Sequence, residues 1–175
     1  MLKMISLASI TLGCLAGCSN VASTANSAAT MVDGHKVLPI SEVLAFDHRC
    51  NDTISLRYQR LSPEQLVAAC DMLTAQEVSF HQLFYTFNQP VADDYNHQMR
   101  ANIYADRSQY VKYATEHFNM PTDNGGMYLE GLPGNKDNHA EFVAYAKNGK
   151  IWNLKHEYVH YLDGRFNQYG DYCMG

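Results

Sequence analysis

Apolar residues recur at intervals of three and four through Leu66, Ala69, Leu73, Phe80, Leu83 and Phe84, the repeat of a helix with one buried face. A start signal precedes them. Ser62 stands as N-cap, Pro63 takes the first helical position, and Gln65 completes a capping box. Pro90 closes the segment beyond its end. A second amphipathic helix is predicted over residues 108–118, through Tyr110, Val111, Ala114 and Phe118. Residues 101–105 read as a short strand, and residues 127–129 and 142–146 as two more, separated by the turn-rich Gly131-Leu132-Pro133-Gly134-Asn135. Asp123-Asn124-Gly125-Gly126 is a further turn signal. The last element predicted is a helix over residues 151–163, with Gly164 as its C-cap. Helices and strands mix without an internal repeat, which predicts an α+β fold.

The N-terminus is set apart from that pattern. Lys3 supplies a short positive start, and residues 4–15 form an apolar run too short to span a bilayer as a mature helix, so residues 1–18 read as an export signal. The run ends in Leu15-Ala16-Gly17-Cys18, which resembles the lipobox of bacterial lipoproteins, where the cysteine becomes the lipidated first residue and anchors the chain to a membrane. The other reading is an ordinary cleavage site that contains a cysteine. Residues 19–45, rich in Ser, Ala, Asn, Thr and Val at their start, read as a flexible tether. Export also sets the expected chemistry of the cysteines. Cys14 leaves with the signal, and Cys50 and Cys70 are expected to pair across about twenty residues, worth roughly 3 kcal/mol. Cys173 is then left over.

Length and charge narrow the function. The chain has 175 residues, room for one domain behind an export segment. With 46% hydrophobic and 18% charged residues it has material for a core, which excludes a disordered chain. A net charge of −5 with no basic block lacks the electrostatic footprint of a nucleic-acid binder.

The predicted last helix carries the chemistry: His156-Glu157-Tyr158-Val159-His160. Histidines four apart lie one turn above each other, so both imidazoles can reach one Zn²⁺, and the glutamate beside them can take a proton from a metal-activated water. At about 100° per residue, His160 lies some 40° from His156, while Ile151, Leu154, Tyr158, Tyr161 and Leu162 cluster on the opposite side. The predicted helix therefore has an apolar back and a ligand face. Asp163 falls close to the ligand face, where it could orient an imidazole from behind, pair with Arg165, or stand in solvent. The bland alternative for the whole helix is two solvated or hydrogen-bonded histidines. His35, His48, His81, His97, His117 and His139 show no ligand spacing with one another and read as scattered surface or packing residues.

Two blocks, His156 to Gly170 (HEYVHYLDGRFNQYG) and Asp123 to Gly131 (DNGGMYLEG), resemble the bacterial collagenases of the M9 metallopeptidase family, in particular the Vibrio-type branch. The resemblance runs from about Phe46 to Gly175 and takes in Phe87-Asn88-Gln89-Pro90. It implies a zincin-like fold of the gluzincin class and a zinc endopeptidase that cleaves collagen and gelatin, with structural calcium near the active site. His156 and His160 would be the zinc ligands, Glu157 the general base and Glu130 a calcium ligand. On this reading residues 46–95 are a helical segment ending an N-terminal region, and residues 96–175 are the upper half of a catalytic domain.

Gly125-Gly126-Met127-Tyr128 is the expected substrate edge, where paired glycines let a peptide backbone approach a strand above the cleft; the alternative is a tight turn that needs positive φ at one glycine. For Glu130 the alternative is an ordinary exposed acid beside a turn. The gluzincin pattern takes its third zinc ligand from a glutamate ~30 residues beyond the second histidine, whereas fifteen residues follow His160 and Asp171 is the one acid past Gly164. The chain is therefore expected to be a truncated piece, and two functions stand side by side. One is the collagenase-type peptidase. The other is a catalytically silent envelope lipoprotein that keeps peptide or metal binding.

Overall fold

The computed structural model describes residues 30–32 and 35–167. In chain order its elements are β1 (Thr30–Val32), β2 (His35–Val37), α1 (Ile40–Val43), β3 (Phe46–Arg49), β4 (Ile54–Tyr58), α2 (Pro63–Phe84), β5 (Met99–Tyr104), α3 (Arg107–Phe118), β6 (Met127–Leu129), β7 (Ala140–Lys147), β8 (Lys150–Ile151) and α4 (Leu154–Phe166). The fold is α+β.

Parallel strands need long crossovers, and the two middle helices supply them. Ser62 and Gln65 close a complete capping box at the start of α2, which returns the chain from β4 to β5 alongside it in parallel. Asp106 caps α3 by accepting from the Gln109 backbone N–H, and the chain then comes back as β7, parallel to β5 on its other side. The sheet order is β3-β4-β5-β7-β6; β3 is antiparallel to β4, β6 is antiparallel to β7, and β8 pairs with the far end of β7.

Strand alternation sends successive side chains to opposite faces. Ile54, Leu56, Met99, Ala101, Ile103, Phe142 and Ala144 meet α2 through Ala69, Leu73 and Phe80, and α4 through Leu154, Tyr158, Tyr161, Leu162 and Phe166. The other face puts Tyr104, Val143 and Tyr145 against Tyr110, Tyr113 and Ala114 of α3 and against Val43 and Leu44. The helix that carries the paired histidines is thus clamped between sheet and α2 along its apolar back.

Several expectations are corrected here. The tether reading fails over residues 35–45: β2 pairs with β1, α1 follows, and Val43 and Leu44 are buried in the α3 cluster. His117 ties this arm down, with Nε2 2.8 Å from the Leu38 carbonyl and Nδ1 2.8 Å from the Tyr104 hydroxyl. Residues 46–58 are not helical; they make β3 and β4, and β4 shares one sheet with the strands that follow residue 96. Nor does Gly164 end the last helix, which runs on to Phe166 because Arg165 and Phe166 are themselves buried against the rest of the fold. Ile151 belongs to β8, and α4 starts only after Asn153, whose φ of 56° turns the chain. The export signal, the lipobox cysteine Cys18 and Cys173 lie outside the described residues. Among the described residues no helix is long and apolar enough to cross a membrane.

Cys50 and Cys70 are joined, tying the end of β3 to α2 across a separation of 20 residues. Replacing both with serine is expected to cost about 3 kcal/mol by freeing that loop in the unfolded chain. Urea unfolding measures it, and an unchanged midpoint would show that the bond constrains nothing that folding has to fix.

Candidate metal centre on α4

The left-handed turn at Asn153 aims α4 so that its first two turns pass beneath β6. His156 is exposed and His160 half-buried, and their Nε2 atoms converge to 3.3 Å with the rings edge to face. The Tyr128 ring lies nearly parallel to His160, at 6.3 Å between centroids, and limits how that imidazole can turn.

Glu157, next to His156 in the same turn, is buried at 4% exposed. Its carboxylate accepts from the Tyr128 backbone N–H and from the Asn153 side chain. Burial pushes its pKa above the ordinary glutamate value, and the neighbouring His156 charge together with the two hydrogen bonds partly offsets that rise. The acid is thus held in one orientation and made a better proton acceptor than a surface glutamate.

The glycines before β6 are there for space. Neither Gly125 nor Gly126 is among the residues with positive φ, which excludes the tight-turn explanation. A Cβ on Gly126 would sit 3.0 Å from the Val143 carbonyl oxygen and 3.4 Å from Glu157 Oε1. One on Gly125 would run into the Trp152 indole. The Tyr110 hydroxyl, its pKa pushed up to about 12 mainly by burial, donates to Asn124 and pins the start of this segment. Met127 and Tyr128 follow in β6, the outermost described strand on that side of the sheet.

Two nitrogens bound to one tetrahedral ion at about 2.0–2.1 Å stand roughly 3.3–3.4 Å apart. The Nε2 separation on α4 meets that requirement before any ligand is added. Two neutral donors on a helix face beside a carboxylate also suit zinc chemically. Among the described residues no third His, Cys, Asp or Glu joins the pair closely enough to complete a three-donor set. His48, Cys50 and Cys70 do lie within 4.8 Å of one another, but the two sulfurs are spent on their own bond and offer no thiolate.

The remaining predicted residues are placed as follows. Glu130, at the end of β6, is 6% exposed rather than an open surface acid, and its backbone carbonyl accepts from Asn96 and Asn138. Asp163 accepts from Asn167 at 2.9 Å, one turn on, and Arg165 pairs with Asp94 instead of Asp163. Asn153, Trp152 and Asp94 were missed by the sequence reading. Asn153 had a signal, since asparagine three residues before His156 suits both a helix start and a left-handed backbone.

A histidine pair with an intervening buried acid is set on a helix under the edge strand of a mixed sheet. The sequence matches the M9 peptidase family, described as Collagenase, over residues 14–175, and the chain belongs to that family. It is 48% identical over 136 residues to a microbial collagenase of Vibrio vulnificus (strain CMCP6), covering 75% of this chain and 17% of the relative. Microbial collagenases of Vibrio alginolyticus and Vibrio parahaemolyticus serotype O3:K6 are 45% and 48% identical over 135 and 127 residues, with 74% and 70% of this chain covered. Those alignments take in 17% and 16% of the two relatives, so the chain spans about a sixth of their length.

Proposed function

We propose that the chain carries the upper half of a zincin-like, gluzincin-type active site and acts in hydrolysis of collagen- or gelatin-type peptide bonds. The observation that carries this reading is the convergence of His156 and His160 beside a buried, doubly hydrogen-bonded Glu157. His156 and His160 hold zinc, which when bound polarises a carbonyl and acidifies water. Glu157 receives the proton on its carboxylate, with Tyr128 N–H and Asn153 keeping the acceptor oxygens aimed. The extended substrate lies along Gly125, Gly126, Met127 and Tyr128, paired through main-chain groups at the outer edge of β6. Glu130 is the hard oxygen donor of a calcium site at the end of that strand. Asp163, near the ligand face on the helix wheel, accepts from Asn167 through one oxygen and keeps the other for orienting an imidazole from behind. Export and lipidation at Cys18 belong to the same reading.

A second reading, peptide and metal binding without hydrolysis, is favoured by the two-donor count among the described residues. Incubating the purified chain with gelatin and Zn²⁺ separates the two. Cleavage that Glu157→Ala lowers by about 10²–10⁴-fold, the usual share of a general base, supports the peptidase. Folded, zinc-loaded chain that leaves gelatin intact supports the second reading.

A further inference from the structure

Trp152 is the only tryptophan in the chain, and it stands against the first glycine of the proposed peptide edge. Its backbone N–H donates to the Tyr145 carbonyl at 2.9 Å, which fixes the turn between β8 and α4. The indole edge abuts Gly125, where even one added carbon would overlap it. Lys147 Nζ lies 3.9 Å from the ring centroid and takes part of one face. The next residue, Asn153, holds the Glu157 carboxylate. Yet the side chain is not used up by packing, because Trp152 remains 41% exposed. A large aromatic surface is therefore held rigidly, in contact with the first glycine of the edge segment and one residue from the group that aims the base.

We propose that Trp152 is a specificity-determining residue that receives a prolyl ring of an extended peptide laid along β6. The inference rests on the peptide-edge reading given above and deepens it. The rigid aromatic surface is what chooses proline over other side chains. Rigid aromatic surfaces recognise proline-rich segments because the pyrrolidine ring packs flat on them and the extended backbone arrives already ordered. Gly125 lets the indole pack directly on the edge backbone, since a Cβ there would overlap its Nε1, and so places that aromatic surface beside any peptide laid along β6. The cation over the other face keeps the indole in one orientation, so the open face does not have to be ordered on binding.

The experiment uses the full chain without added metal, so that peptide stays intact. Fluorescence anisotropy follows a labelled Gly-Pro-Ala repeat peptide and a control with alanine in place of each proline. The intrinsic emission of the single tryptophan is read in parallel with unlabelled peptide. For the parent chain the tryptophan signal is expected to change and saturate with the prolyl peptide's binding curve. Trp152→Ala is expected to weaken the prolyl peptide by about 10-fold while moving the control less than about 2-fold, and Trp152→Phe to restore most of the loss. Circular dichroism melts check that both variants are folded. Equal weakening of both peptides by Trp152→Ala, or none, overturns the assignment while leaving the edge reading in place. A parent chain that binds neither peptide overturns the edge reading as well.

Discussion

Asp94→Ala is expected to destabilise the fold by about 3–5 kcal/mol, a large part of the roughly 5–15 kcal/mol that holds a domain together. The Asp94 side chain is 1% exposed and its partner Arg165 9%, with 2.6 Å between Oδ1 and the guanidinium. The same oxygen accepts from the Asn96 backbone N–H. Arg165 lies in the last turn of α4, where a cation also suits the helix dipole, and its backbone carbonyl accepts from Val91. This ion pair therefore fastens the loop of residues 91–97 to the end of the histidine helix. Without Asp94 the guanidinium is left, among the described residues, against the His97 ring nitrogen 3.3 Å away and no carboxylate. A buried charge with no counter-charge is the costly state, not the absence of the pair as such. Asp94→Leu combined with Arg165→Leu should accordingly cost much less than either change alone, and a double-mutant cycle in urea reads the difference. Additive losses would mean that the two groups do not stabilise each other.

That pair marks the limit of what the sequence could show. Asp94 and Arg165 are 71 residues apart, and no local pattern connects them. Signals that act within a few residues were legible: Ser62, Pro63 and Gln65 form the cap their spacing predicts, and the strand and helix candidates at β5, α3, β6 and β7 fall within a few residues of the observed elements. β4 was missed although Ile54, Leu56 and Tyr58 alternate with Ser55 and Arg57, because five residues ending in a cationic segment make a weak period. β3 gave still less, with an exposed edge and no buried face to read.

At the site, helical phase alone brought His156 and His160 together and sent Tyr158, Tyr161 and Leu162 into the core. Phase could not foresee that Glu157 is buried, since its partners come from Tyr128 on another element and from the turn at Asn153. For the paired glycines the sequence offered two explanations, positive φ or close approach, and only the tertiary neighbours Trp152, Val143 and Glu157 decide for the second. For Asp163, proximity on a wheel to the ligand face does not name a partner; the one hydrogen bond it is seen to accept comes from Asn167, one turn on.

His156→Ala is expected to weaken zinc retention by at least about 100-fold, beyond the ~10–100-fold typical of losing an outer partner of a metal ligand. The reason is geometric. Two nitrogens already 3.3 Å apart need no rearrangement to occupy adjacent corners of a tetrahedron, whereas a lone imidazole binds a hydrated ion without that preparation. His160→Ala should cost more than His156→Ala, because His160 is half-buried and steadied by the Tyr128 ring, while His156 is exposed and gives up more freedom on binding. His48→Ala serves as the control, lying on β3 at the opposite edge of the sheet from β6. Metal content after dialysis against a weak chelator measures all three. Unchanged stoichiometry in both α4 variants would remove zinc from this helix, and with it the hydrolytic reading of Glu157, while leaving the ion-paired scaffold that Asp94 and Arg165 hold unaffected.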